Sequence, residues 1–232
     1  MPSPGPTHAP LVWSAITGGK NVYTEWPLTF STPESEQLLA LAEEKGVRHV
    51  IGLQRRFAPS ARYVRDLLVD GYVGRVRGVR MSVGVDAFAP RMPQRYIGSL
   101  ADDALFSIHI EGAQRLRPGL QIDITGTEGV LRVTNARAYE NVQDNTVWGM
   151  NGTSEVLEEL PVPVQYRFLA DAELDASTSG TAYLYAALAE DLRTGTHVVP
   201  DGPPTHRRMA GYRARSGVSP AGALARREIM AA

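Results

Sequence analysis

Glycine and proline divide the first seventy residues into short segments whose apolar patterns alternate between helical and extended spacing. Pro33 follows Ser31 and Thr32, which are typical N-terminal caps, and Gly46 is a typical helix stop, so these residues bound one helix. In chain order we predict a helix at residues 11–17, a strand at 21–24, a helix from 31 or 32 to 46, a strand at 47–53 and a helix from 59 to 71. Helices and strands that alternate in this way are typical of a parallel α/β layer.

The pattern changes after Gly74, where extended segments follow one another. We predict strands at residues 75–85 and 104–112, a hairpin of 120–125 with 130–133, and a helix at 181–193. The predicted fold class is α/β followed by α+β: a partial Rossmann-type parallel layer plus an incomplete, mostly antiparallel open sheet with helices. We assign residues 1–74 to the first domain, 75–200 to the second and 201–232, rich in Ala, Arg, Gly and Pro, to a disordered tail.

Composition narrows the set of partners and cofactors that this chain is expected to have. With 24 basic and 25 acidic residues its net charge is −1, which gives no electrostatic reason to expect nucleic acid or an anionic membrane as a partner. The chain has no cysteine, which excludes disulfides, thiolate catalysis and Cys-bound zinc and fits a cytoplasmic protein. Its histidines have no metal-ligand spacing, so we expect no metal site.

Three polar clusters lie where a parallel layer would present them to a ligand. Glu25, Trp26 and Pro27 end the first predicted strand. The second cluster, with Arg55 and Arg56, follows the second strand, and the third, which ends at His8, precedes the first helix. Ligands of open α/β sheets bind beyond the carboxyl ends of the strands, and helix N-termini favour anionic or polar groups. The same residues also fit a rigid strand corner, a solvated pair of arginines (Arg55 and Arg56) that caps the sheet, and a helix cap, and the residues alone leave both interpretations open.

One histidine lies within a strictly alternating segment. His109 shares a face with Ser107 and Glu111, opposite Phe106 and Ile108. A histidine there is a candidate catalytic base, but we interpret His109 as an outward polar position of the strand.

The clusters belong to longer runs of recognisable sequence. These are residues 7–28, with Gly-Gly-Lys-Asn-Val-Tyr-Thr-Glu-Trp-Pro-Leu at their end, and residues 40–47, 52–59, 71–76 and 121–129. Taken in order, they resemble the glucose–fructose oxidoreductase / inositol dehydrogenase family (Gfo/Idh/MocA). The resemblance implies a Rossmann domain that binds NAD or NADP, through His8, Glu25, Trp26, Pro27 and Arg56 here, and a sheet domain that carries a sugar-type substrate. Family members commonly pair through the exposed face of this sheet, so a homodimer is expected.

The chain departs from the family pattern at several places. Trp26 stands where the family's Glu-Lys-Pro motif has the lysine that assists proton transfer, and an indole cannot take that role. No glycine-rich pyrophosphate fingerprint precedes Thr7. The family has a long stretch, with the helix that carries the catalytic histidine, at the point where Tyr96 is followed directly by Ile97 here. We therefore predict a truncated chain with no catalytic residue. The composition of the tail also fits an out-of-frame product of a GC-rich gene.

Three functional interpretations follow. The first is an NAD(P)-dependent oxidoreductase, by descent, of the type that acts on a sugar or polyol derivative. The second, which Trp26 favours, is a non-catalytic dinucleotide-binding sensor similar to the yeast galactose repressor. The third is a non-functional remnant whose sheet survives as an association surface.

Overall fold

The computed structural model describes residues 8–25, 28–29, 31–85, 94–100, 103–112, 119–136, 145–169, 174, 176–196 and 199. Its helices are α1 (His8–Thr17), α2 (Thr32–Lys45), α3 (Pro59–Val69) and α4 (Ala176–Thr194). Its strands are β1 (Val22–Glu25), β2 (His49–Gly52), β3 (Val76–Val85), β4 (Gln94–Ser99), β5 (Leu105–Gly112), β6 (Leu120–Gly126), β7 (Gly129–Asn135), β8 (Thr146–Asn151) and β9 (Glu158–Glu159). Short 3-10 turns lie at Gln54–Phe57 and Val164–Tyr166.

The described residues divide into two compact units. One contains the residues up to Gln54 together with those from Thr181 onward, and the other contains the residues from Arg55 to Gly180. The sequence placed α3 in the first domain, whereas the structure places it in the second unit, because its apolar side packs against the larger sheet. The predicted tail, residues 201–232, lies outside the described residues.

In the first unit, β1 and β2 pair in parallel, with Val22 beside His49 and Glu25 beside Gly52. Apolar residues of α1, α2 and β2, together with Leu28 from the segment before α2, form one core, which contains Ala9, Val12, Ile16, Leu28, Leu38, Ala42 and Ile51. The unit therefore has the predicted parallel α/β character. Helix α1 begins at His8 rather than at residue 11, which places Pro10 in the first turn, where a helix needs no N–H donor.

Local sequence sets both ends of α2, as predicted. The Ser31 hydroxyl accepts a hydrogen bond from the N–H of Glu34 at 3.4 Å, and Pro33 lies in the first turn. At the other end, Gly46 has a φ of 61°, the left-handed conformation that ends many helices and that glycine adopts without a steric penalty.

A buried carboxylate joins the end of α4 to β2. Asp191 is 1% exposed and accepts hydrogen bonds from the N–H of Val199 at 2.8 Å and from the hydroxyl of Thr196 at 2.7 Å. A guanidinium nitrogen of Arg48 lies 3.7 Å from the same carboxylate. Since a buried charge is costly without such partners, the group fixes the chain that follows α4.

The second unit contains a seven-stranded sheet in the order β4-β5-β3-β6-β7-β8-β9. Strands β3 and β5 are parallel, and the other neighbours are antiparallel. The predicted hairpin is the pair β6–β7, and the predicted fold class, a parallel layer plus a mostly antiparallel open sheet, is confirmed. Strands β4, β8 and β9 were not predicted.

The two faces of this sheet differ in character because side chains alternate along each strand. One face packs against α3 and forms a core with Val64, Val73, Ile124, Leu131, Val133 and Val147. On the other face the strand register aligns one row across all seven strands: Ile97, Ser107, Arg80, Asp123, Arg132, Trp148 and Glu159. We refer to this second face as the polar face.

The packing of β7 against α3 predicts a large stability difference between two leucines of the same sheet. Leu131 is 0% exposed, whereas Leu105 on β5 is 66% exposed. We expect Leu131→Ala to lower the free energy of unfolding by about 2–5 kcal/mol, since it leaves a cavity. The matched control Leu105→Ala should change it by less than about 0.5 kcal/mol. Urea unfolding followed by circular dichroism measures both, and equal losses would contradict this assignment of the core.

Candidate functional site

Glu25 lies at the carboxyl end of β1, directly beside Gly52 at the carboxyl end of β2. Both strands run in the same direction, so their ends meet at one edge of the layer. In open α/β sheets this edge is where ligands bind. The side chain of Glu25 is exposed there, which makes it the starting point of the candidate site.

Two neutral donors hold one oxygen of the Glu25 carboxylate. The hydroxyl of Tyr23 donates to Oε1 at 2.7 Å, and the amide Nε2 of Gln54 donates to the same oxygen at 2.8 Å. Within the described part of the chain, no group donates a hydrogen bond to Oε2. The carboxylate is therefore fixed in direction and still presents one oxygen as an acceptor.

Glycine at position 52 makes room for this arrangement. A Cβ atom at Gly52 would lie 2.6 Å from Oε2 of Glu25 and 2.6 Å from the hydroxyl oxygen of Tyr23. Contacts that short do not occur between a Cβ and a polar atom, so any larger residue would push the two side chains away.

The environment keeps the Tyr23 hydroxyl protonated. Burial raises the pKa of Tyr23 well above its usual range, and the hydrogen bond to the Glu25 carboxylate and the charge of that carboxylate raise it further. The ring of Tyr185, on α4, packs beside that of Tyr23 with centroids 5.3 Å apart. Tyr23 is therefore a permanent donor to Glu25 at physiological pH.

The other residues predicted for the site lie as follows. His8 is the first residue of α1 and is half-buried. Arg56 is exposed in the 3-10 turn after β2 and belongs to the second unit. Trp26 and Pro27 lie outside the described residues.

Sequence reasoning missed Tyr23 and gave Gln54 no separate role. Alternation along β1 was the available signal for Tyr23, since residues two apart on a strand share a face with Glu25. His109, by contrast, is exposed on the polar face of the larger sheet, which agrees with its interpretation as an outward polar position.

A second charged cluster lies on the polar face. The buried carboxylate of Asp123 accepts hydrogen bonds from Arg80 at 2.8 Å, Arg132 at 2.6 Å and Gln121 at 2.8 Å. Burial alone would raise the pKa of Asp123, but these three donors outweigh burial and hold the pKa below its usual range. The indole of Trp148 donates to the hydroxyl of Thr134 at 3.0 Å on the same face.

None of the helices in the described residues combines the length and apolar character that crossing a bilayer requires. No three His, Asp or Glu side chains of these residues converge in a way that would hold a metal ion.

Comparison with known proteins places this geometry in context. No family model matches the chain. A dehydrogenase of Aspergillus oryzae, aclE, is 35% identical over 83 residues, which cover 36% of this chain and 23% of that protein. The dTDP-3,4-didehydro-2,6-dideoxy-alpha-D-glucose 3-reductase of Actinomadura kijaniata is 27% identical over 184 residues, 77% of this chain and 52% of the relative. The matches thus span about half of these curated relatives or less.

Solved structures share the fold over nearly the whole chain. Levoglucosan dehydrogenase in complex with NADH and levoglucosan superposes with a TM-score of 0.72 at 13% identity, over 96% of this chain and 78% of that one. UDP-N-acetylglucosamine 3-dehydrogenase GnnA of Acidithiobacillus ferrooxidans gives 0.69 at 16% identity, over 95% and 77%. In sequence over part of its length, and in fold over nearly all of it, this chain is similar to proteins named as dehydrogenases and reductases.

These similarities agree with the resemblance to the Gfo/Idh/MocA oxidoreductases that the sequence indicated. The relatives described here are named as dehydrogenases and reductases rather than as regulators, so they give the galactose-repressor interpretation no support.

The Asp123 cluster predicts a specific loss of stability in acid. A carboxylate whose pKa is lower in the folded than in the unfolded chain stabilises the fold at neutral pH, and this contribution disappears as the pH falls through the folded pKa. We therefore expect the stability difference between the unaltered chain and Asp123→Asn to shrink as the pH falls from about 6 toward 2. Asp103→Asn, which removes an exposed carboxylate of the same unit, is the control. Identical pH dependence of both variants in urea unfolding would show the prediction to be wrong.

Proposed function

We propose that this chain binds a nicotinamide dinucleotide, NAD or NADP, at the edge where β1 and β2 end. The observation that carries the proposal is the directed carboxylate of Glu25 at the carboxyl end of a parallel strand pair. The relationship to nicotinamide oxidoreductases supports the identity of the ligand, since levoglucosan dehydrogenase with this fold holds NADH.

The chemistry of the edge fits one end of a dinucleotide better than the other. The Oε2 atom of Glu25 accepts hydrogen bonds, so it suits the hydroxyl groups of a ribose or the amide of a nicotinamide. It would repel a pyrophosphate. Glu25 thus binds the neutral end of the ligand, whereas a guanidinium such as Arg56 and a helix N-terminus such as that at His8 suit phosphates. We propose Trp26 and Pro27, which directly follow Glu25, as further contacts.

A bound nicotinamide would supply or accept a hydride, but this chain offers little for the accompanying proton transfer. Trp26 occupies the position where related oxidoreductases have lysine, and an indole N–H is not an acid or base at neutral pH. We therefore propose dinucleotide binding without sustained turnover, in a protein related to enzymes of sugar and polyol derivatives. A sensor of cofactor state is the second candidate function, and it rests on Trp26.

We further propose that two copies associate through the polar face. Its row of side chains crosses seven strands and includes Trp148 and the exposed Ile97, which suit a partly apolar interface with a charged centre. We also propose that the first unit is a dinucleotide-binding domain and that the second, with α3 included, is a sheet domain. We propose a cytoplasmic location, which the cysteine-free composition supports.

Titration with NADH tests the binding proposal. Energy transfer from the tryptophans of the full chain to NADH should saturate at micromolar concentrations. Glu25→Ala should weaken binding by about tenfold or more, since hydrogen bonds to a charged acceptor contribute about 1.5–3 kcal/mol. Glu36→Ala, an exposed glutamate on α2, should leave the affinity unchanged. Sustained NADH turnover with any sugar or polyol would contradict the non-catalytic part of the proposal.

Sedimentation equilibrium tests the association proposal. The unaltered chain should sediment as a dimer at micromolar concentration. Ile97→Arg, which adds a charge to the polar face, should shift the equilibrium toward monomer because it buries an unpaired charge at the interface. Val156→Arg, at an exposed position between β8 and β9, is the matched control. A monomeric unaltered chain would rule out this surface as a dimer interface.

A further inference from the structure

The carboxylate of Glu25 is more ordered than its exposure would suggest. A glutamate at the exposed end of a four-residue strand ordinarily samples several rotamers, and a ligand must then immobilise it. Here Oε1 accepts hydrogen bonds from Tyr23 at 2.7 Å and from Gln54 at 2.8 Å. These contacts fix the direction of Oε2 before any ligand arrives.

We infer that Tyr23 and Gln54 are positioning residues, which aim the free oxygen of Glu25 at neutral hydrogen-bond donors of the dinucleotide. This inference rests on the proposed function. The two residues do not touch the ligand themselves, and act only through the carboxylate.

The neutrality of both donors matters for selectivity. A lysine or arginine in either place would compensate the charge of Glu25, whereas a phenol and an amide orient the carboxylate and leave it negative. The charged oxygen then favours hydroxyl and amide groups and disfavours phosphates. A phenol is already protonated throughout the physiological pH range, and burial and Glu25 raise the pKa of Tyr23 further, so this donor is retained.

Gly52 leaves the space that the side chains of Glu25 and Tyr23 occupy. The atoms that a Cβ there would meet are the ends of the Glu25 and Tyr23 side chains, at 2.6 Å each. Both ends are able to swing outward, so Gly52→Ala should displace the carboxylate and leave the strand pairing intact. The substitution would thereby weaken binding, although position 52 has no contact of its own with the ligand.

The experiment is a double-mutant cycle on NADH affinity in the full chain. We expect Tyr23→Phe, Gln54→Leu and Gly52→Ala each to raise the Kd for NADH by about three- to tenfold. In the Glu25→Ala background each of the three should have no further effect, since they act through a carboxylate that is no longer present. A purely structural role would lower the affinity in both backgrounds alike.

Matched controls separate this effect from general damage. Gln37→Leu removes an exposed amide on α2, and Tyr63→Phe removes a tyrosine hydroxyl in the second unit. Both should retain the affinity of the unaltered chain. Thermal unfolding by circular dichroism identifies any variant that does not fold, and the cycle is then completed with the remaining two.

The outcomes are distinct. Saturable binding by the unaltered chain, with the three variants at the level of the controls, overturns the positioning role and leaves the proposed function standing. Equal losses with and without Glu25 also overturn it. A flat titration of the folded, unaltered chain overturns the proposed function, and this inference with it.

Discussion

The parallel register of β1 and β2 is the constraint on which the candidate site depends. It sets Glu25 beside Gly52 and brings Gln54, which follows β2, within 2.8 Å of the carboxylate. A shift of one residue along either strand would turn Glu25 toward the opposite face of the layer, because side chains alternate. The buried apolar residues of the unit resist such a shift, so the same core that stabilises the layer also sets the direction of an exposed carboxylate.

The sequence predicted those parts of the fold that local chemistry determines. Ser31 and Gly46 bound α2 because a hydroxyl cap and a left-handed glycine act within a few residues of the helix. The contact between Glu25 and Gln54 joins residues 29 positions apart and follows only from strand pairing. Strand β8 was missed because Gly149 weakens the strand pattern in the sequence. The reason for a glycine there is a contact distant in sequence, since a Cβ at position 149 would lie 2.5 Å from the hydroxyl oxygen of Tyr72.

The two faces of the larger sheet have different roles: one packs in the core, and the other presents charged groups. Its apolar side packs against α3, which is why that helix belongs with the sheet rather than with the parallel layer that precedes it in sequence. On the polar side Asp123 has two arginine partners, so the centre of this face carries a local positive charge. Any surface that binds there must accommodate these guanidinium groups or supply further acceptors.

The return of the chain to its first unit has a consequence for synthesis on the ribosome. Residues up to Gln54 emerge before those of the second unit. The ring of Tyr185, which packs against Tyr23, and the carboxylate of Asp191, which faces Arg48, both belong to α4 and emerge later. The strands that the structure describes in the second unit all lie between Arg55 and Gly180, so they are available before α4 has emerged fully. The order of completion is therefore the reverse of the order of emergence, because the parallel layer needs α4, whereas the larger sheet is able to assemble before α4 is released.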